Sequence, residues 1–115
     1  MVSAGMAVAL GAFGAHGLRA MVTPEMLAVF ETGARYQMYH ALALVAIGLA
    51  FARLEGRTVA AAAWLFVAGT VLFSGSLYVL TLTGTRWWGA VTPLGGVAFL
   101  AGWALLLTTR VIDRK

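Results

Sequence analysis

The sequence predicts an all-α, polytopic membrane protein with four transmembrane helices in an up-down antiparallel bundle. Three features indicate it: an apolar composition, four charge-free stretches and short connections between them. Of the 115 residues, 62% are hydrophobic and 10% are charged, and the mean hydropathy is +0.91. Soluble domains have about 45–50% apolar and about 25% charged residues. So few charges cannot cover a water-soluble protein of this size, which makes lipid the expected solvent.

The charge-free stretches place the spans. They cover residues 1–18, 36–52, 58–85 and 87–109. A spanning helix needs about 20 apolar residues, with a range of about 17–25. We therefore expect one transmembrane domain over residues 1–115, with spans near 2–18, 33–52, 59–82 and 89–109.

The first stretch is marginal in length, and two interpretations of it stay open. It either spans as a short helix or is preceded by further residues. It has no positively charged n-region and no small-x-small cleavage site, so we expect a retained helix rather than a signal peptide.

Local signals mark the start of the second and fourth helices. Thr23-Pro24-Glu25 is typical of a helix start, with a capping hydroxyl, a proline in the first turn and an acidic residue at the positive end of the dipole. Pro93 either kinks the fourth helix or begins it, with Thr92 as the cap. The linkers 54–57 and 83–86 are short, which favours antiparallel neighbours.

Basic residues predict the orientation. Five of them fall on one side of the predicted bundle: Arg53, Arg57, Arg110, Arg114 and Lys115. The other side has Arg19, Arg86 and the interfacial Arg35. The positive-inside rule then places both termini in the cytoplasm of an inner-membrane (plasma-membrane) protein. Trp87 and Trp88 fit an aromatic belt at the outer interface.

Polar side chains inside the predicted spans form the candidate site. Glu31 and Arg35 are four residues apart and can pair on one helix face. His40 lies about 7.5 Å further along the axis than Arg35, which places it one to two turns inside the membrane. Polar groups at that depth face the bundle interior, because exposing them to lipid costs several kcal/mol. The ligand-binding or polar-layer candidates are His16, Glu31, Arg35, Tyr36, Gln37, His40, Ser74, Ser76 and Tyr78.

The predicted polar layer, formed by these nine candidates, has a functional and a structural interpretation. Intramembrane ionisable groups mark functional sites by default. Equally, histidine and glutamine often hold helices together through hydrogen bonds. Ala7, Gly11 and Ala15, spaced by four residues on the first helix, similarly allow close helix packing or leave space for a ligand.

Several classes of chemistry lack their residues. The chain has no cysteine, which excludes disulfides, thiolate metal sites and cysteine nucleophiles. No Ser-His-Asp set, phosphate-binding loop or paired intramembrane carboxylate is visible. His16 and His40 could in principle ligate haem or a metal, but their spacing matches no metal motif. We therefore expect no enzyme, no catalytic residue, no metal and no cofactor.

Four motifs resemble a known family. They are GAFGAHGL, FETGARYQMYHALAL, LFSGSLYVLTLTG and TPLGGVAFLAGW. In this order they are similar to an uncharacterised family of small four-span membrane proteins, a domain of unknown function, that includes transmembrane protein 256. The resemblance covers nearly the whole chain and implies a four-span inner-membrane protein without an assigned activity. The matching positions are His16, Gly33, Tyr36, Gln37, Tyr39, His40, Ser74–Tyr78, Thr92, Pro93, Gly95 and Gly96.

Three functions remain in competition. The first is a non-enzymatic accessory or scaffold protein, whose partners are the bilayer and a second copy or another membrane protein, and not nucleic acid. The second is a binder of a lipid or quinone-like molecule through Arg35, Tyr36, Gln37 and His40. The third is a proton or solute path through an oligomer. A four-helix bundle fills its own core with side chains, so the first function requires the fewest assumptions.

Overall fold

The described part of the chain folds into four α-helices connected by short turns. The computed structural model describes residues 2–54 and 56–112. Its helices are α1 (Val2–His16), α2 (Pro24–Ala50), α3 (Gly56–Thr83) and α4 (Thr92–Thr108). Helix α3 contains a π-helical turn at Thr70–Ser74, and the 3₁₀ turns are Leu18–Ala20, Phe51–Arg53 and Arg86–Ala90. The predicted all-α, up-down arrangement is confirmed, while Arg114 and Lys115 of the predicted basic side lie outside the described residues.

The two predicted helix starts behave differently. Thr23 caps α2, and its Oγ1 accepts the backbone N–H of Met26 at 3.2 Å, as predicted. Pro93 lies in the first turn of α4, so it begins this helix and does not kink it. The Thr92 hydroxyl, however, forms no cap. It bonds Ser76 at 2.6 Å on the neighbouring helix, because α3 offers a hydroxyl at that point.

Two described segments are long and apolar enough to cross a membrane. They are Gly56–Thr83, with 28 residues, and Arg86–Thr108, with 23 residues; an 18-residue window in each has a mean hydropathy of 1.9 and 1.8, respectively. Helix α1 has 15 residues, or about 22 Å at 1.5 Å per residue. Helix α2 has 27 residues, but its first half carries Glu25, Glu31, Arg35 and Gln37.

The helices pack in chain order and form a flat molecule. Helix α1 packs on α2, α2 on α3 and α3 on α4. The principal extents are 55 × 26 × 15 Å. One apolar core cluster, between α2, α3 and α4, consists of Ile47, Val59, Phe66 and Phe99. A flat array exposes much of its side-chain surface laterally, which suits a lipid environment.

Helices α3 and α4 approach most closely where glycine replaces a side chain. A Cβ atom built on Gly95 would lie 2.7 Å from the Cα of Phe73. Two phenylalanines interlock on either side of the α3–α4 contact, with Phe99 over Gly69 and Phe66 over Gly102. Small residues at a membrane helix interface allow this close packing.

The chain returns to the turn between α2 and α3 after α4. The N–H of Ile112 donates to the carbonyl of Arg53 at 2.7 Å, and Leu54 and Val111 form an isolated antiparallel bridge. The end of the described chain is thereby held on the same side of the molecule as Arg53.

Candidate functional site

Gln37 connects three helices at the centre of the polar layer. Its side chain is 3% exposed. The Tyr78 hydroxyl on α3 donates to its Oε1 at 2.6 Å, and its Nε2 donates to the Ser3 carbonyl on α1 at 2.8 Å. Buried polar groups require such partners, since an unpaired one costs free energy. The amide is thus used on both sides to fix α1 and α3 against α2.

Two serines of α3 extend the layer. Ser74, which is fully buried, donates to the backbone carbonyl of Gly33 on α2 at 2.7 Å. Ser76 bonds Thr92 on α4 and also donates to the Phe73 carbonyl at 2.9 Å. Because Gly33 has no side chain, α2 and α3 come close enough for the serine hydroxyl to reach a main-chain oxygen.

His40 joins α2 to α4 and uses both of its ring nitrogens. Its Nδ1 lies 2.8 Å from the Tyr36 carbonyl, and the Trp103 indole N–H donates to its Nε2 at 3.0 Å. A carbonyl needs a donor and an indole N–H needs an acceptor, so both contacts fit only the neutral ring with its proton on Nδ1. The ring also stacks on Phe99, with centroids 3.6 Å apart and an interplanar angle of 8°. His40 therefore has the partners of a packing residue.

Tyr36 lies at the edge of this aromatic group. Its ring stacks on Phe73 with centroids 4.9 Å apart, and the side chain is 38% exposed. Tyr36, His40 and Trp103 line a groove of about 400 Å³ between α2 and α4. Because both His40 nitrogens already have partners, the groove presents ring faces and almost no polar atoms.

His16 does not join the layer, contrary to the expectation from the sequence. It is exposed, and its Nδ1 lies 2.9 Å from the Ala12 carbonyl of its own helix. The register of α1 on α2 explains this, because Gly14 faces Phe30 and Ser3 contacts Gln37. His16 is therefore level with the start of α2, about 20 Å along the axis from His40 at 1.5 Å per residue.

Glu31 and Arg35 also lie outside the layer. Both are exposed, and among residues 2–54 and 56–112 no arginine nitrogen lies within 4.0 Å of a carboxylate oxygen. The predicted ion pair between them is therefore not formed. Both side chains instead line one hollow between α1 and α2. Near a helix end a charged side chain can reach water or lipid head groups, so it need not turn inward.

The small-residue stripe of α1 serves packing only in part. Ala7 is buried, whereas a Cβ built on Gly11 would meet no atom within 4 Å. The close approach occurs instead at Gly14, where a Cβ would lie 3.1 Å from the ring of Phe30. The face with Gly11 lines the hollow that also contains Glu31.

Sequence reasoning missed three partners of the layer: Ser3, Thr92 as a hydrogen-bonding group, and Trp103. Trp103 has a signal in the sequence, because Gly95, Phe99 and Gly102 recur at the spacing of one helix face directed at a neighbour. Ser3 has none, since a lone serine in an apolar helix most often bonds its own helix. Among the described residues, no three of His, Asp and Glu come together in a group that could hold a metal ion.

Comparison with known proteins identifies the family. A family model described as a protein of unknown function (DUF423) matches residues 10–96. The UPF0382 membrane protein YwdK of Bacillus subtilis is 48% identical over 111 residues, which are 96% of this chain and 90% of that protein. The UPF0382 inner membrane protein YgdD of Escherichia coli K12 is 45% identical over 109 residues, which are 94% of this chain and 83% of that protein. No solved structure matches. The resemblance found in the motifs is confirmed, and the chain belongs to the DUF423 family of membrane proteins.

Proposed function

We propose that this protein is a non-enzymatic accessory protein of the inner membrane that crosses the bilayer four times. The observation that carries the proposal is the internal pairing of the polar layer. Gln37, His40, Ser74, Ser76 and Tyr78 each bond a group on a neighbouring helix of the same chain. Groups that are already paired with one another serve to hold helices in register rather than to bind substrate.

The pairing disfavours a transport path. A proton relay requires a chain of titratable or water-accessible groups across the membrane. His16 and His40 are separated by about 20 Å along α1 and α2 at 1.5 Å per residue. Both nitrogens of His40 are engaged by Tyr36 and Trp103. We therefore propose a structural role for His40.

Large apolar side chains on the outer faces support an accessory role. Leu49 and Leu107 are 84% and 88% exposed, and a flat four-helix array leaves both faces open to other helices. Membrane helices associate through van der Waals packing, interhelical hydrogen bonds and lipid entropy, without a hydrophobic driving force between them. A small protein of this shape can fill space between the helices of a larger assembly.

The proposed topology has both termini in the cytoplasm. Arg53, Arg57 and Arg110 lie at the end of the molecule where α2 and α4 finish and α3 begins, and Arg19 and Arg86 lie at the opposite end. The positive-inside rule assigns the end with more basic residues to the cytoplasm. The relative from Escherichia coli is named as an inner membrane protein, which supports the choice of membrane.

Cysteine labelling tests the last three spans and the orientation. The chain has no cysteine, so single cysteines can be placed at the exposed loop residues Met21, Ala52, Thr85 and Val111 without a background. We expect a membrane-impermeant maleimide to label positions 21 and 85 in spheroplasts, and positions 52 and 111 only after lysis. Labelling of position 52 or 111 from outside would refute the topology.

Site-specific photo-crosslinking tests the accessory role. A photoreactive side chain at Leu49 or Leu107 should yield a discrete protein adduct in native membranes, and one at the fully buried Phe66 should yield only adducts within the chain. The adduct formed from position 49 should be lost when Leu107 is replaced by a bulkier tryptophan in an otherwise stable protein. Lipid adducts alone at both exposed positions would contradict a partner-binding role.

A further inference from the structure

We propose that the cleft between α1 and α2 binds the head group of a phospholipid that carries both a phosphate and a primary ammonium. This α1–α2 cleft consists of two adjoining hollows that share Glu31, one extending to Arg19 and the other to Arg35. The inference goes beyond the accessory role, because it assigns a ligand class to residues outside the polar layer.

The cleft is large enough for a head group and the upper part of an acyl chain. The two hollows have volumes of about 400 Å³ and about 390 Å³. Small-molecule sites typically measure about 300–1,000 Å³. The walls of the α1–α2 cleft are formed by small residues of α1, namely Ala7, Gly11 and Ala15, and by the α2 residues around Glu31. A Cβ at Gly11 would meet no atom within 4 Å, so this face of α1 borders open space.

The charges of the cleft alternate and are not paired with one another. Arg19, Glu31 and Arg35 line it, and among the described residues none of them forms an ion pair. Glu31 and Arg35 are one helix turn apart, a spacing at which opposite charges commonly pair. Instead, both point into one hollow, as a ligand with two opposite charges would require.

Arg35 and Glu31 each match one group of a zwitterionic head group. The planar guanidinium of Arg35 can donate two hydrogen bonds to phosphate oxygens. The Glu31 carboxylate can accept N–H bonds from a primary ammonium, but not from a quaternary one, which has no N–H. A purely anionic lipid would bring its phosphate next to Glu31, and like charges repel. The arrangement therefore favours an amine-bearing phospholipid over phosphoglycerol and choline lipids.

The position along the helix also suits a lipid. Arg35 immediately precedes the charge-free stretch 36–52, so it lies where the apolar part of α2 begins. Met38 and Tyr39 continue the same hollow on the apolar side. A phosphate bound at Arg35 would thus have its acyl chain alongside Met38 and Tyr39.

Native mass spectrometry with defined lipids tests the proposal. The purified protein is exchanged into nanodiscs that contain equal parts of phosphatidylethanolamine, phosphatidylcholine and phosphatidylglycerol, and the retained lipids are counted after gentle release. We expect preferential retention of one phosphatidylethanolamine. Glu31→Gln should lower the ratio of retained phosphatidylethanolamine to retained phosphatidylcholine by about tenfold, the equivalent of one charge-assisted bond. Arg35→Gln should lower the retention of all three lipids.

Matched controls lie at the same end of the molecule. Glu25 and Arg86 line a smaller hollow of about 230 Å³ on the α3 side of α2. Glu25→Gln and Arg86→Gln change the net charge equally and should leave lipid retention unchanged. Circular dichroism melts of all four variants check that these exposed substitutions leave the fold intact. Equal retention of the three lipids by the unmodified protein, or equal losses in the controls, would overturn the proposal. So would a dimer that retains no lipid in the cleft, since a second copy would then be the occupant.

Discussion

Adding one methyl group at Gly95 should push α3 and α4 apart, whereas adding it at the next residue should not. A Cβ at position 95 would lie 2.7 Å from the Cα of Phe73 and also against its backbone nitrogen. A Cβ at Gly96 would meet only the edge of the Phe73 ring, at 4.0 Å. Carbon atoms in favourable contact are about 3.5–4.0 Å apart, so Gly95→Ala requires a helix to move by about 1 Å.

The pair of variants isolates the packing cost. Alanine is favoured over glycine in a helix by about 1 kcal/mol, and this gain is the same at both positions. Overpacking an interface costs about 1–3 kcal/mol, and here it applies at position 95 alone. Because the obstructing atoms belong to the backbone of Phe73, no side-chain rotation can relieve the contact. We therefore expect Gly95→Ala to be less stable than Gly96→Ala by about 1–3 kcal/mol.

Equilibrium unfolding in mixed micelles measures the difference. Circular dichroism follows helix content as the denaturing detergent increases. We expect Gly96→Ala to match or exceed the stability of the unmodified protein. Neutral surface substitutions usually change the free energy of unfolding by no more than about 0.5 kcal/mol. If Gly95→Ala and Gly96→Ala differed by no more than this, the described contact of α3 and α4 would be refuted.

Three further substitutions test the buried polar groups, each by the same unfolding measurement. Ser74→Ala removes the bond to the Gly33 carbonyl and should cost about 0.6 kcal/mol, and no more than about 1.7 kcal/mol, the range for interhelical bonds in membranes. Thr70→Val should be neutral or stabilising, because Thr70 Oγ1 is buried without a hydrogen-bond partner in the described part of the chain. A loss of stability greater than about 1 kcal/mol would reveal a hidden partner. His40→Phe leaves the Trp103 indole N–H without its acceptor and should cost about 1 kcal/mol. Unchanged stability of this last variant would favour a ligand site at His40.

The composition and the charge-free stretches were sufficient to predict four helices in up-down order. Their starts were predictable where a local signal exists, as at Thr23 and Pro93, because capping and proline geometry act within a few residues. The flat arrangement was not predictable, since it depends on which helix faces meet.

The inward position of Gln37 and Tyr78 followed from the cost of exposing polar groups to lipid. The hydrogen-bond partners of Gln37 and Tyr78 could not be predicted, because helix register is set by packing between residues that are distant in the sequence. His16 illustrates the limit. The antiparallel order was predictable, but the offset that places Gly14 against Phe30 was not, and this offset separates His16 from His40.

Charged residues near helix ends were the hardest to place. The spacing of Glu31 and Arg35 predicts a pair, whereas the structure directs both into the α1–α2 cleft without pairing them. An exposed pair gains little free energy, typically about 0.3–0.5 kcal/mol on a helix, so neighbouring packing easily decides the geometry.

A double-mutant cycle on Gln37 and Tyr78 tests most directly whether the polar layer holds the helices together. The Tyr78 hydroxyl donates to Gln37 at 2.6 Å, and the two side chains belong to α2 and α3. The unfolding free energies of Gln37→Leu, Tyr78→Phe and the double variant should yield a favourable coupling of about 0.6 kcal/mol or more. Strictly additive losses, with no coupling between the two positions, would contradict the account.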